Sequence, residues 1–427
     1  MATESVNKPN ISFNWILSKD KDILFYIGSA LIGYLYLFII IYAVLTLPNP
    51  LTDSFAFFTV GSFTLSLNLT LLVVISWGVF LDAPHLFATL GRTFFDPDEW
   101  DQKRPELLKS WLFFFLGPAM IILPYLVADL LPFNISPELL VYGAILFLIF
   151  FRLWAYYHVV RQHWGFVALY KRKNNDFSPE SYVKDKWVFR VVMYGPLLLF
   201  LTAPWYGTGI LANSFPPLPL STPLYNGVSL SSILYPLIWV IYLFTIIYYI
   251  YLQYSLYRSG EQLNGSKLIY LSLLIPLHLL AFSHPIVTFF VTPLVTVGHN
   301  IQYHMIVYDY SKKKYFKSDV NPEPYRWSRF IFKNIAIYFV IGLVFTLVLY
   351  RGPWIDFIKA TTGIELNNLV FNSVGMMAGI TDPASLDLGT QVFAGFLLGW
   401  AMQHYYLDSK IWRVSKDKKL ARVLNVS

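Results

Sequence analysis

Ten runs of apolar residues, separated by short polar segments, dominate the chain. They cover about 24–47, 55–82, 111–132, 137–160, 187–212, 230–256, 267–283, 285–308, 330–350 and 389–409. An α-helix rises ~1.5 Å per residue, so about 20 apolar residues cross a hydrocarbon core of about 30 Å. The pattern predicts an all-α fold, a polytopic transmembrane helical bundle of about ten spans. The runs are long and continuous, not alternating in ten-residue segments, which argues against an outer-membrane barrel. The seventh run is short and has Pro276 inside it. The polar segment 1–23, with Lys8, Lys19, Asp20, Lys21 and Asp22, reads as a cytoplasmic segment and not as a cleavable signal peptide. Residues 24–409 then form one transmembrane domain. Segment 351–388 mixes Gly, Asn and Asp with short apolar pieces and is expected to cap the outer face, and 410–427 is a basic cytoplasmic tail.

Composition sharpens this picture. Of 427 residues, 56% are hydrophobic and only 13% charged, against about 25% charged in soluble domains. That excludes a soluble globular enzyme and a disordered chain. The net charge is +7, and 29 of the 32 Lys and Arg residues fall in 1–23, 83–110, 161–190, 257–267, 309–333 and 410–427. Ten spans with a cytoplasmic N-terminus put all six segments inside. The positive-inside rule therefore predicts that both termini are cytoplasmic, in a multi-pass protein of a bacterial inner membrane. The basic residues answer to the membrane, with no nucleic acid as partner, and Lys312-Lys313-Lys314 reads as a contact with anionic lipid.

The chain has no cysteine. Disulfides, iron–sulfur clusters, thiolate haem and cysteine zinc sites are excluded, so a metal must be held by His, Asp, Glu or backbone oxygen. Six of the eight histidines fall at the inner ends of spans two, four, eight and ten: His85, His158, His163, His299, His304 and His404. Ionisable groups inside a membrane are costly and face the protein interior, and imidazole is the commonest metal ligand. Four helices bringing six imidazoles to one depth predict a metal or haem centre. His278 and His284 are expected near the opposite face in structural roles, with His284-Pro285 at a tight outer turn.

Spans four and eight carry His158-xxxx-His163 and His299-xxxx-His304. Five residues turn an α-helix by about 140° net, so neither pair readily chelates one ion. His404 and Asp408 are four apart and share a face. Asp82, just before Ala83-Pro84-His85, suits either a helix cap or a ligand. Asp408 suits either a ligand or an interfacial ion pair with Lys410 and Arg413. The candidate metal set is His85, His158, His163, His299, His304, His404, Asp82 and Asp408. Gln162, Asn300, Gln302 and Gln403 flank these residues and suit hydrogen bonding to ligands. Arg152 suits an acid partner, a substrate carboxylate or a cofactor propionate. Tyr156, Tyr157, Tyr303, Tyr405 and Tyr406 crowd the same layer, as aromatics do at membrane interfaces. There is no phosphate-binding Gly loop, GxSxG or HExxH.

The two HxxxxH pairs, with His404 and its following Tyr405-Tyr406-Leu407-Asp408, resemble the integral-membrane histidine-motif oxygenases. These are the fatty-acyl desaturase, alkane hydroxylase and carotenoid hydroxylase group, and the Brp/Blh type of carotene-cleaving dioxygenase. The likeness covers about forty residues around the motifs. The chain lacks any adjacent His-His pair, whereas the desaturase and hydroxylase boxes contain HxxHH, and it has more spans than the usual desaturase. The resemblance implies a chemistry class and not a ligand assignment: non-haem iron, one or two ions, in an O₂-dependent oxidoreductase. Nitrogen and oxygen ligands suit such iron. The expected substrate is lipophilic, an acyl chain, isoprenoid or hydrocarbon, and an electron-donor protein is an expected partner. Two other classes stay open: a membrane cytochrome with His axial ligands to haem, and a transporter with a His-lined site.

Overall fold

The computed structural model describes residues 11–51, 53–61, 63–130, 136–176, 178–208, 211, 218–225, 227–350 and 382–425. The first apolar run forms α1 (Lys19–Thr46). Ser18 caps its start, accepting from the Lys21 N–H, and a π-helical stretch runs over Asp22–Ile27. The Asp22 carboxylate turns back to accept the N–H groups of Ile16 at 2.7 Å and Leu17 at 3.0 Å. That fixes the arm leading into the helix.

The second run departs from the expected span. Ser54–Val60 and Phe63–Asn68 form an antiparallel hairpin, turning through Gly61 at φ +60. Helix begins only at Leu69, passes through a π-helical stretch, Val74–Asp82, and continues as α2 (Ala83–Thr93). The stretch 55–67 is aromatic and β-branched, alternates Phe63, Leu65 and Leu67 with Thr64 and Ser66, and is broken by Gly61. Those are strand and hairpin signals, and mean apolarity alone does not distinguish them from helix.

The remaining runs are helical. They give α3 (Pro97–Leu130), α4 (Tyr142–Lys173), α5 (Pro179–Thr202), α6 (Leu230–Arg258) and α7 (Gly265–Ala281). After these come α8 (Val291–Tyr315), α9 (Ile335–Tyr350), α10 (Leu388–Ile411) and the short α11 (Lys418–Val423). Most of the expected cap, 351–381, lies outside the described residues, as do 1–10 and 426–427 of the terminal segments.

Among the described residues four helices, α1, α3, α4 and α6, are long and apolar enough to cross a membrane. A fifth span results if Glu323–Ile331 and Ile335–Thr346, bent by 78°, are counted as one. Helices α8 and α10 fall below that measure because they carry His, Asn, Gln and Asp. Those polar residues are buried: His299, Asn300 and Gln302 on α8, and Gln403, His404 and Asp408 on α10. Helix α10 packs along α3, and α8 along α1. The apolar helices thus shield the polar ones, as the cost of polar groups in hydrocarbon requires. Glycines set the α3–α10 spacing. A Cβ on Gly399 would strike the Phe114 carbonyl, and one on Gly395 would lie 2.9 Å from the Pro118 nitrogen. Small residues bring helices together this way inside membranes.

At one end of the bundle, hydrogen bonds and ion pairs link the polar segments in a closed ring. Ser12 Oγ donates to Asn174 Oδ1 at 2.6 Å. Lys173 Nζ reaches the Asn425 carbonyl at 2.8 Å. Lys419 pairs with Asp98 and Lys314 with Asp96. Lys21 pairs with Asp309 at 2.6 Å, and Lys267 joins Asp176 at 2.8 Å. Each of the six basic segments contributes. Burial raises the Asp176 carboxyl, but Lys267 and Lys171 outweigh it and hold the group below its ordinary value. Burial likewise raises Asp417, and the Leu420 N–H and Lys103 bring it below.

Candidate metal centre

The helical turn explains which side chains meet. Residues four apart share a face, so α2 presents His85 with Thr89, α4 presents His158 with Gln162, α8 presents His299 with Tyr303, and α10 presents His404 with Asp408. These four faces converge. The His85 ring lies 4.3 Å from His404 and 5.0 Å from His299, and His158 lies 5.0 Å from His404 and 5.6 Å from His299. All four histidines and Asp408 are buried. Two sets of ligand atoms each lie within 4.8 Å of one another: His85, His299 and His404, and His158, His404 and Asp408.

Both nitrogens of His85 and of His299, and Nε2 of His404, have no hydrogen-bond partner among the described residues. Buried polar atoms are nearly always partnered, and five unpartnered imidazole nitrogens in one place are a set that could hold a metal ion. Proton counting sharpens this at His404. Its Nδ1 lies 2.6 Å from Thr89 Oγ1. The Tyr303 hydroxyl donates to Asp408 at 2.6 Å. Where the single Thr89 proton goes to Tyr303 at 2.5 Å or Asp408 at 3.1 Å, the Thr89 oxygen accepts from His404 Nδ1–H, a tautomer that leaves the Nε2 lone pair for a metal.

Asp408 is a member of the centre. Tyr303 and Gln162 donate to it, the Thr89 hydroxyl lies 3.1 Å away, and no ion pair with Lys410 or Arg413 forms. Lys410 lies over the Tyr406 ring, and Arg413 donates to the Ser409 carbonyl. Gln162 also reaches His158 Nε2 at 3.0 Å, the ligand-side role expected of it. A cation held by His158 would displace that amide contact.

Three members of the sequence-derived set are placed otherwise. His304 lies at the rim, its ring 6.3 Å from His85. Its Nε2 is 3.3 Å from the Leu81 carbonyl, an acceptor, and its Nδ1 is 2.7 Å from the Tyr338 hydroxyl. Both nitrogens are engaged, so it offers no lone pair. His163 turns away from His158, as the helical rotation requires, and its Nδ1 meets Tyr270. Asp82 is helical at φ −71 and ψ −50 and makes no capping bond. Helix runs through it, which removes the cap reading, and Asn300 Nδ2 donates to it at 3.3 Å.

The flanking polar residues divide. Gln302 accepts from the Tyr270 hydroxyl at 3.3 Å and so reaches His163 through one phenol. Gln403 donates to Ser110 on α3 and ties two helices. Arg152 lies within electrostatic reach of Tyr206, beyond the end of α5.

Sequence reasoning missed Thr89, although its place four residues after His85 signalled a shared face. It also misplaced His278. That residue is fully buried on α7, with its ring 5.5 Å from His163. Eleven residues, about 16 Å of helix, separate His278 from Lys267 in the polar ring, and the same rise separates His163 from Asn174. The two imidazoles share a depth. His284 behaves as expected, exposed and capping a short helix by accepting from the Ile286 N–H.

Comparison with protein-family models, curated proteins and solved structures yields no match.

Proposed function

We propose that this chain is an integral-membrane, O₂-dependent oxidoreductase whose non-haem iron is held by His85, His299 and His404, with His158 and Asp408 beside them. The observation that carries the reading is the set of buried imidazole nitrogens without partners around one point. Neutral imidazole with a carboxylate suits iron. The same arrangement disfavours haem, since the rings touch edge to face at 4.3–5.6 Å and leave no slot for a porphyrin between them. A transporter reading has less support, because transport sites generally lie in broken helices, whereas α4, α8 and α10 run unbroken through their histidines.

When bound, iron supplies O₂ activation. The protein orients the ligands, keeps the pocket dry and admits the substrate. Thr89 and Tyr303 hold His404 and Asp408 in place. A lipophilic substrate, an acyl chain, isoprenoid or hydrocarbon, fits the surroundings. Tyr405 lies against His158 at 4.4 Å, and Phe151, Trp154, Phe113 and Phe150 continue an aromatic wall to an exposed face of α4. An electron-donor protein provides reducing equivalents. About ten spans, with both termini cytoplasmic in a bacterial inner membrane, fit the ring that joins all six basic segments at one end. The test is O₂ uptake by iron-loaded protein presented with lipid extracts, against the His404→Ala variant. Substrate-dependent uptake lost in the variant supports the reading, and equal uptake by both opposes it.

A further inference from the structure

Away from the histidines, a pocket of about 190 Å³ opens between α4 and α5 with three cations in its lining, Arg161, Lys186 and Arg190. Helical spacing builds it. Arg161 and Trp164 are three apart and share a face of α4, while Tyr182, Lys186, Arg190 and Tyr194 recur every four residues along α5. Val160 and Phe189, 2% and 3% exposed, give the pocket an apolar floor. Arg161 Nη1 donates to the Tyr157 hydroxyl at 2.9 Å, and Trp164 Nε1 to the Tyr182 hydroxyl at 3.3 Å. Lys186 Nζ lies 5.5 Å from the centre of the Tyr182 ring, and Tyr194 is within electrostatic reach of both arginines.

None of the three cations pairs with a carboxylate among the described residues. The acids at this end of α5 are engaged elsewhere: Glu180 with Lys184 at 2.6 Å, and Asp185 with Lys171 and with Lys267. Other cations at this end of the bundle have their acids, as Lys313 has Asp309 at 2.8 Å and Lys314 has Asp96. Like charges gathered at one small pocket repel one another until an anion enters it.

Depth and polarity narrow the anion. Lys186 follows directly on Asp185, which meets Lys267 of the polar ring at 2.9 Å. Arg190 is four residues, about 6 Å, further along the helix. Tryptophan and tyrosine with polar tips collect at headgroup level, as Trp164, Tyr182 and Tyr194 do here. One turn beyond Tyr157 on α4 stands Leu153, and one turn beyond Tyr194 on α5 stands Leu198, 44% and 48% exposed. The cleft is therefore basic toward the polar ring and apolar away from it, the polarity of an amphiphile with an anionic head.

We propose that this cleft binds the headgroup of an anionic phospholipid. Arg161 and Arg190 hold the phosphate oxygens, which the guanidinium fork matches. Lys186 adds charge, and the acyl chains run past Leu153 and Leu198. The proposal is independent of the metal reading and needs no bound ion.

The experiment titrates detergent-solubilised full-length protein with short-chain phosphatidylglycerol at fixed ionic strength and counts bound lipid by native mass spectrometry. One lipid per chain should bind saturably, about 10-fold or more tightly than phosphatidylcholine of the same chain length. Arg161→Gln combined with Arg190→Gln should weaken binding about 10- to 30-fold, since each basic residue near anionic lipid contributes about fivefold. Lys184→Gln combined with Lys416→Gln removes the same charge and should stay within about twofold of wild type. All four positions are exposed, so both double variants should fold, which thermal unfolding checks. Millimolar inorganic phosphate should leave the lipid bound. Equal affinity for the two lipids, equal weakening in the two double variants, or wild-type affinity in the arginine variant would overturn the proposal. Displacement of the lipid by inorganic phosphate would overturn the lipid as occupant and make the cleft a site for free phosphate.

Discussion

Thr89→Val removes one hydroxyl from the centre and preserves the shape of the side chain. Thr89 is fully buried, and its oxygen lies 2.6 Å from His404 Nδ1, 2.5 Å from the Tyr303 hydroxyl and 3.1 Å from Asp408. Valine leaves His404 Nδ1–H without an acceptor. A buried group left without its partner costs about 1–3 kcal/mol, so the apo-protein should lose stability by that order. The imidazole is then free to rotate or change tautomer, and the Nε2 lone pair is no longer directed inward. Loss of a bond that orients a ligand weakens metal binding about 10- to 100-fold, or ~1.4–2.7 kcal/mol. The assay is chelator competition for ferrous iron, run alongside thermal unfolding, with Thr89→Ser as the control that keeps the hydroxyl. Serine should stay within a few-fold of wild type. A valine variant that loses stability but keeps wild-type metal affinity would refute the claim that Thr89 positions a ligand.

Other outcomes follow from the same structure. His304→Ala should keep full metal content, because both of its nitrogens are bonded within the protein; iron loss equal to that of His85→Ala, measured by elemental analysis, would place it among the ligands. Gly399→Ala should destabilise the α3–α10 contact by about 1–3 kcal/mol, because the new methyl meets the Phe114 carbonyl; unchanged thermal unfolding would contradict that close approach. Asp176 is held below its ordinary value of 3.8 by Lys267 and Lys171 against the opposing effect of burial, so its stabilisation is complete above that value and fades as pH falls through the lower folded value. Asp176→Asn should therefore unfold earlier than wild type at pH 7 and lose less on acidification; parallel curves would oppose this.

The helices were legible where apolar runs are long, because hydrocarbon thickness fixes their length. The hairpin at 54–68 was not, since the decisive information lay in alternation and in Gly61. In the site, the faces His85/Thr89, His158/Gln162 and His404/Asp408 follow from helical spacing, and so does the divergence of His158 from His163. Residue type could not separate His299 from His304, because what divides them is the Leu81 carbonyl and the Tyr338 hydroxyl on other elements. His278 was misplaced because a layer was inferred from helix ends, whereas α7 carries it at mid-depth against His163. Asp82 lost its cap reading because a π-helical stretch feeds straight into α2, which no local sequence rule anticipates.

The central claim is that the buried histidines hold iron and not haem. Elemental analysis of protein purified from iron-replete cells, with the absorption spectrum of the same sample, tests it most directly. The account predicts about one to two iron ions per chain, no Soret band, and loss of iron from the His85→Ala and His404→Ala variants at matched folding. Folded protein that carries no iron and takes none up when ferrous iron is added, or a Soret band at one haem per chain, would contradict it.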